Sequence, residues 1–492
     1  MRFKKEFLLT AVVFTIIFSG CKKWDDHVAA DNPDLTQDLY RTIANDPNLS
    51  RFGDLVSKAG LDTLLKSSKT YTIWAPSNDA LATLDPSIPT DVNRLRSFIL
   101  NHISNQLYFT RDAQTTIRVG MLSGKYNNFL ANKFEDANIT SADKFVKNGV
   151  LHIIDKNILV IPNLWEYINS TSAQYTQNSF IAGLNFSSFD PSLATVDSIS
   201  SSTGLPVYHA GTGIVIKNTF NEKVVDARRE DKQYTYFVIA NAGFTLKSDS
   251  LKPYFSTIST TATDSLAKWN IVKDLAVDAL YPTAASLPAV LFSKFGIAIP
   301  INSSFIIDTK KVSNGIVYVL SLSGIATASK FQQTIIEGES PTGFLSDKTS
   351  NTNYRVRPNL VTNQNYTDIL VSGHGVTSYY SYYQLKEMPS MKYNVYAFAV
   401  NDFQTAYVFQ SIGVRYLTAP STYTILTTVP AALNHAVPLK TAVGAYSEIL
   451  LGTVTSTSYG TLEFRLTSGG TTLGSTGTAP IVLDYLRIVP IP

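Results

Sequence analysis

The sequence has a single cysteine, Cys21, among 492 residues, only 16% charged side chains, and no apolar run after its first twenty residues that could cross a bilayer. A lone thiol excludes a disulfide framework and any thiolate metal cluster, so stability has to come from packing. A bilayer-spanning helix needs about 20 apolar residues, so none is expected beyond residue 20. Lys and Arg number 41 against 38 Asp and Glu, a net +3 without a long run of either sign, which excludes a nucleic-acid partner. Tyr and Phe are plentiful, 26 of each, and Ser, Thr and Asn fill most polar positions. That mix suits exported β-rich domains, and the length suggests about three of them.

Residues 1–20 read as a signal peptide: Arg2, Lys4 and Lys5 precede an apolar core from Leu8 to Phe18. Phe18-Ser19-Gly20-Cys21 resembles a lipobox, in which small residues precede the cysteine that is cleaved and acylated. Lipidation of Cys21 is therefore expected, and several acyl chains at about 0.8 kcal/mol per buried methylene would anchor the chain tightly. Residues 21–34 form a polar tether. Its Lys22-Lys23-Trp24-Asp25-Asp26 stretch resembles export signals of Bacteroidetes-type lipoproteins. The expected location is the bacterial outer membrane, lipid-anchored and facing the exterior.

The body repeats itself. Tyr71-Thr72-Ile73-Trp74-Ala75-Pro76-Ser77-Asn78-Asp79 is echoed by Tyr234-Thr235-Tyr236-Phe237-Val238-Ile239-Ala240-Asn241-Ala242, and Asn148-Gly149-Val150-Leu151-His152 by Asn314-Gly315-Ile316-Val317-Tyr318. Each first box is a β-branched and aromatic strand that ends in a turn, and Ser77, Asn78 and Asp79 are suited to capping the next element. Asn-Gly before an apolar run signals a tight turn into a strand, because both residues tolerate positive φ. Between the boxes, Val92, Leu95, Ile99 and Ile103 have helical spacing, so the unit is α+β.

These boxes resemble those of the fasciclin (FAS1) domain, whose first box reads Thr-aliphatic-aromatic-Ala-Pro-Ser/Thr-Asn-Asp-Ala and whose last reads Asn-Gly-aliphatic-aliphatic-His. Leu100-Asn101-His102-Ile103 resembles the family's central His box. The resemblance implies one FAS1 domain over residues 35–162 and a degenerate second over 163–328, in which Pro76, Asp79 and His152 give way to Ile239, Ala242 and Tyr318. Its structural residues here would be Pro76, Asn78, Asp79, His102, Asn148, Gly149 and His152, then Asn241, Asn314 and Gly315. Alternating runs at 195–199, 205–208 and 214–216, punctuated by Gly204, Gly211 and Gly213, add an inserted hairpin to the second copy.

Residues 330–350 are polar and read as a linker to a third domain over 340–492. There, apolar and Tyr/Thr-rich runs at 367–372, 393–401, 406–416, 447–453, 461–466 and 481–489 recur between Gly and Pro, the pattern of an all-β sandwich or jelly roll. The final run resembles the closing strand of galactose-binding-like carbohydrate modules.

No catalytic constellation emerges. The six histidines never pair at metal-ligand spacing, no Gly-x-Ser-x-Gly elbow occurs, and no metal or cofactor is expected. Carboxylates at Glu337, Glu339, Glu387, Asp402, Glu448, Glu463 and Asp484 leave a glycosidase pair open without favouring one. The ligand candidates are Tyr379, Tyr380, Tyr382 and Tyr383, with Asn401 and Asp402 as hydrogen-bond partners. In an extended strand, Tyr379 and Tyr383 take one face and Tyr380 and Tyr382 the other, so one pair faces solvent as a platform for sugars. The expected function is non-catalytic adhesion, or binding of a glycan or cell-surface protein. The alternatives are an accessory role in an outer-membrane nutrient transporter complex and, last, a carbohydrate-active enzyme.

Overall fold

A computed structural model describes residues 33–404, 408–417, 435–436, 446–471 and 475–492. Cys21, the signal peptide and most of the tether lie outside them. The chain divides into two compact units, one comprising 1–167 with 227–234 and 311–316, the other 168–226, 235–310 and 317–492.

The first repeat is a seven-stranded sheet with helices packed on it. Its strands are β1 (Tyr71–Pro76), β2 (Ile103–Ser104), β3 (Ile117–Gly120), β4 (Tyr126–Leu130), β5 (Lys133–Phe134), β6 (Ala137–Val146) and β7 (Gly149–Ile154), in the order β2-β1-β7-β6-β5-β4-β3. β1 and β7 run parallel, and every residue of both is buried. Strands covered on both faces are apolar throughout, which is why these two boxes stand out in the sequence. Helix Val92–Leu100 starts at an Asp91 cap that accepts from the Asn93 and Arg94 amides. It buries Leu95, Phe98 and Ile99, whereas Val92, its first residue, is exposed and Ile103 lies on β2, so the helical spacing overran the helix at its C-terminal end.

Asn148 fixes the turn into β7. Its Oδ1 accepts from the Leu39 amide at 2.8 Å, and its Nδ2 donates to the Leu65 and Ser67 carbonyls at 2.8 Å each. A Cβ on Gly149 would run into the Tyr71 carbonyl oxygen, so the residue after Asn148 has to be glycine. His102 and His152 are buried and neutral. His102 Nδ1 donates to the Phe98 carbonyl and Nε2 accepts from the Ile158 amide, and burial lowers its pKa to about 4. His152 Nε2 donates to the Tyr108 carbonyl at 3.0 Å while its ring stacks on Trp74. One expectation needs correcting: Asn78 and Asp79 do not cap the short helix after β1. Ser77 does so by accepting from the Ala80 amide, while Asn78 reaches back to the Pro47 carbonyl and the Arg51 amide.

The second repeat contains β12 (Tyr234–Ile239), β13 (Ala276–Val277), β16 (Ile306–Val312) and β17 (Gly315–Leu320), in the order β13-β12-β17-β16. Its polar fastenings recur bond for bond. Asn314 accepts from the Leu164 amide and donates to the Ala227 and Arg229 carbonyls, the three bonds of Asn148. Asn241 accepts from the Thr176 amide and donates to the Gln174 carbonyl, as Asn78 does with Arg51 and Pro47. Thr235 links the Ala279 carbonyl to the Tyr281 amide, as Thr72 links Gln106 to Tyr108. Where the first repeat has His152, the Tyr318 hydroxyl donates to the Tyr281 carbonyl at 2.7 Å and its ring stacks on Phe237. The degenerate position therefore keeps both the hydrogen bond and the stack.

The insertion contains two ribbons. β8 (Asn185–Phe189) pairs with β11 (Ile214–Asn218), and within that loop β9 (Val196–Ile199) pairs with β10 (Pro206–Tyr208). Phe186, Phe189, Leu193, Val196, Ile199, Leu205, Val207, Ile214 and Ile216 are all exposed on this arm. β14 (Val290–Phe292) and β15 (Ala298–Pro300) form a further hairpin.

The remaining strands build the sandwich: β18 (Thr334–Glu337), β19 (Gly343–Phe344), β20 (Thr352–Pro358), β21 (Asn365–Val371), β22 (Tyr380–Met388), β23 (Lys392–Phe398), β24 (Gln410–Leu417), β25 (His435–Ala436), β26 (Ile449–Thr455), β27 (Gly460–Ser468), β28 (Ile481–Leu483) and β29 (Tyr485–Ile491). They form sheets ordered β18-β29-β23-β26, β19-β22-β27-β24-β25 and β20-β21-β28. β18 pairs with β29, so the sandwich begins at Thr334, ahead of the expected residue 340. The closing run 481–489 is two strands: β28 pairs with β21, the chain changes sheet at Asp484, and β29 pairs with β18 and β23.

Candidate functional site

Alternation along β22 sorts the tyrosine cluster. Tyr379 and Tyr383 are fully buried in the sandwich core, whereas Tyr380 and Tyr382 are half-buried on the outer face. This corrects the assignment of Tyr379 and Tyr383 as ligand contacts. The Tyr383 hydroxyl donates to the Gly338 carbonyl at 2.8 Å, and the Tyr379 ring stacks on buried His374 at 4.7 Å, so both are spent on packing. Asn401 is also buried, and its Oδ1 accepts from the Gln404 amide. Asp402 is paired with Arg355 at 3.3 Å and with Arg357, and Arg355 also makes a two-pronged pair with Asp368. Neither residue is free to serve as the hydrogen-bond partner that the sequence suggested.

The outer face of the β22–β27–β24 ladder has a defined layout. Tyr382 lies opposite Arg465 and Arg465 opposite Gly413; the flanking rows are Tyr380–Thr467–Ser411 and Gln384–Glu463–Arg415. The Arg465 guanidinium lies over the Tyr380 ring at 4.3 Å, and the Tyr380 and Tyr382 rings are 6.4 Å apart. A Cβ on Gly343, the edge residue beside Tyr382, would strike that ring, so glycine lets the ring lie across β19. At Gly413 a Cβ would meet nothing within 4 Å, which leaves the middle of the face open.

Glu463 holds the face in place. Its carboxylate is buried, forms an ion pair with Arg415 at 2.5 Å, and accepts from Arg465 at 2.8 Å and Gln384 at 3.1 Å. Burial works to raise its pKa, but the bonds from Arg415, Gln384 and Arg465 outweigh it and hold the group below the usual carboxylate range. Such a carboxylate stays ionised and cannot act as a general acid. The face therefore offers two aromatic rings and positioned guanidinium donors, suited to stacking on C–H surfaces and bonding hydroxyls. The signal that could have found it is the Glu463-x-Arg465 spacing on a strand, which puts both side chains on one face; the partner Arg415 is distant in sequence.

A second carboxylate group lies where the chain changes sheet. Asp484 is buried and raised to about 7, first by burial and then by Glu337, Glu339 and Asp368, and one Glu339 oxygen is buried without a hydrogen-bond partner. Among the described residues, no group of three or more His, Cys, Asp or Glu is arranged to hold a metal ion. No described helix is long and apolar enough to cross a membrane.

The fasciclin domain model matches residues 47–160, spanning both boxes of the first repeat. This segment is similar to the fasciclin domain family. The structure of a FAS1 domain pair from the insect cell adhesion molecule fasciclin I aligns with 57% of this chain and 98% of its own, at 15% identity and a TM-score of 0.23. A family 35 carbohydrate binding module from Clostridium thermocellum covers 32% of this chain and 99% of its own, at 15% identity and a TM-score of 0.22. The C-terminal CBM6 of LamC, a laminarinase from Zobellia galactanivorans, covers 32% and 99%, at 15% identity and a TM-score of 0.20. These superpositions are too loose to transfer a site. No curated protein matches the chain significantly.

Proposed function

We propose that this protein is a non-catalytic surface lipoprotein, held to the outer membrane by acyl chains on Cys21, in which the fasciclin domain and its repeat act as a scaffold and the sandwich binds a glycan. The outer face built from Tyr380, Tyr382 and Arg465 around open Gly413 carries this reading. The absence of catalysis is supported by the carboxylates themselves. Glu463, Asp402 and Glu448 are each engaged by arginine, which takes these three out of the candidates for a glycosidase acid–base pair. A glycan array probed with the full chain and with Y380A/Y382A tests the face. The expected result is a signal lost in the double variant with an unchanged melting temperature; a blank array for the parent protein, or a signal that survives the double variant, refutes it. Cys21→Ser should move the protein from the membrane fraction to the soluble one and abolish palmitate labelling, and retention at the membrane would reject the lipid anchor.

The exposed arm favours a second reading, an accessory subunit of an outer-membrane uptake complex. Nine large apolar side chains on an arm of two isolated two-stranded ribbons and their connections form the kind of surface that a protein partner covers. A photo-crosslinker at Ile199 or Leu205 in native membranes should then capture a transporter, and failure to capture one counts against this reading.

A further inference from the structure

A cleft of about 730 Å³ opens between the second repeat and the sandwich, within the range of small-molecule sites, about 300–1,000 Å³. One wall is helix Thr260–Val272, which contributes Ser265 and half-buried Trp269, with Lys273 just beyond its end. The end of β22 also lines it, as do Phe331 and Tyr459.

Three observations mark this as a built site. First, its walls are tied together: Ser390 Oγ donates to the Pro253 carbonyl at 2.6 Å, the Ser390 amide donates to the Tyr254 carbonyl, and the Tyr459 amide donates to the Ser256 carbonyl at 2.7 Å. Second, the β22–β27 register slips between Leu385 and Met388, and Glu387 there has φ +58°, a left-handed conformation that non-glycine residues rarely adopt. A bulge re-aims side chains, and this one puts Lys386 and Glu387 in the cleft lining. Third, the lining is electropositive. Lys330 is neutralised by Asp274 at 2.5 Å, which leaves Lys223, Lys273 and Lys386 against the single carboxylate of Glu387.

The geometry points to a binding site in this cleft for an oligosaccharide that carries carboxylate groups, its ring faces on Trp269 and its acid groups on Lys273 and Lys386. An aromatic face beside ammonium point charges discriminates such a sugar from a neutral one, because the stacking is shared and the charge contact is not. Lys273 is set up for this: burial lowers its pKa, with Asp274 and Glu387 working against the shift, and an arriving carboxylate would strengthen the charged form. The sugar class rests on the glycan-binding reading above, but the site is separate from the outer sandwich face.

Titration calorimetry of the full chain with tetragalacturonate and with cellotetraose tests the inference. The acidic tetramer should bind and the neutral one bind at least tenfold more weakly at this site. K273M, which keeps the apolar stem, and W269A should each weaken acidic binding at least tenfold, with thermal melts showing that both variants are folded. K273R should retain most of it, and Y382A should leave it unchanged. No heat from tetragalacturonate at millimolar concentration, or equal affinity in K273M and the parent, overturns the cleft assignment. If Y382A abolishes acidic binding while K273M does not, the cleft is also refuted, but the outer face stands as the glycan site.

Discussion

Replacing Asn148 with alanine removes three hydrogen bonds at once: the acceptor for the Leu39 amide and the donors to the Leu65 and Ser67 carbonyls. The Leu39 amide and Leu65 carbonyl are left buried and unpaired at about 1–3 kcal/mol each and the bond to Ser67 is worth about 1 kcal/mol net, so the expected cost is about 3–7 kcal/mol. That is a large part of the about 5–15 kcal/mol that stabilises a typical domain. Asn314→Ala should cost the same, because it loses the equivalent bonds to Leu164, Ala227 and Arg229. Asn148→Asp is the sharper perturbation. It keeps the acceptor for Leu39 but turns an oxygen towards two carbonyl oxygens, so it should destabilise more than alanine does. Urea unfolding followed by circular dichroism, with m-values checked for constancy, measures all three. A cost below about 1 kcal/mol for either alanine variant, or an aspartate variant as stable as the parent, would refute the reasoning.

Acid should act on the two ends of the chain with opposite sign. His102, lowered from 6.5 to about 4, binds a proton in the unfolded chain but not in the folded one across that window, so its contribution is complete above pH 6.5 and lost as pH falls to 4, about 3 kcal/mol in all. Asp484, raised from 3.8 to about 7, holds a proton in the folded state that the unfolded chain releases, so stability falls as pH rises from about 4 to about 7; D484N should flatten that slope. Urea midpoints recorded from pH 4 to 8 in chelator-containing buffer, where no stray cation compensates the carboxylates, check both slopes. Tyr379→Ala should destabilise the sandwich by about 3–5 kcal/mol, whereas Tyr382→Ala should leave its melting temperature unchanged, as calorimetry would show. Replacing residues 190–212 of the arm with a short Gly-Ser turn should change stability by less than about 1 kcal/mol in the same assay, since its apolar residues lie outside the core.

The fold was legible where one residue type alone fits. Asn-Gly at 148–149 and 314–315 announces a turn against a neighbouring carbonyl, and the wholly apolar β1 and β7 announce burial on both faces. Tyr318 was harder to place, because a phenol and an imidazole look unlike in sequence yet deliver a donor to equivalent carbonyls, Tyr281 and Tyr108. The tyrosine strand was half legible. Alternation separated the two pairs, but which pair faces inward depends on His374 and Gly338, which the spacing within the strand does not reveal. Glu463 looked like any strand glutamate because its arginines come from a neighbouring strand and from two residues along its own. The cleft was invisible for a similar reason: its residues come from a helix, a bulge and a linker that only folding brings together.

In the first repeat, neutral Asn101 accepts from the Ser123 hydroxyl; the second repeat has Asp274 in the matching place, accepting from Ser293 and also from the Lys330 ammonium, with both charged side chains almost wholly buried. That exchange decides where the chain can be divided. A cut ahead of Lys330 strands a bare carboxylate in the interior, at about 3–5 kcal/mol, and the excised repeat should unfold even though every residue of its own strands is present. A cut after Lys330 and before Thr334 leaves Asp274 its counter-charge. The lysine lies beyond the last strand of the repeat, yet in energetic terms it is the repeat's final residue.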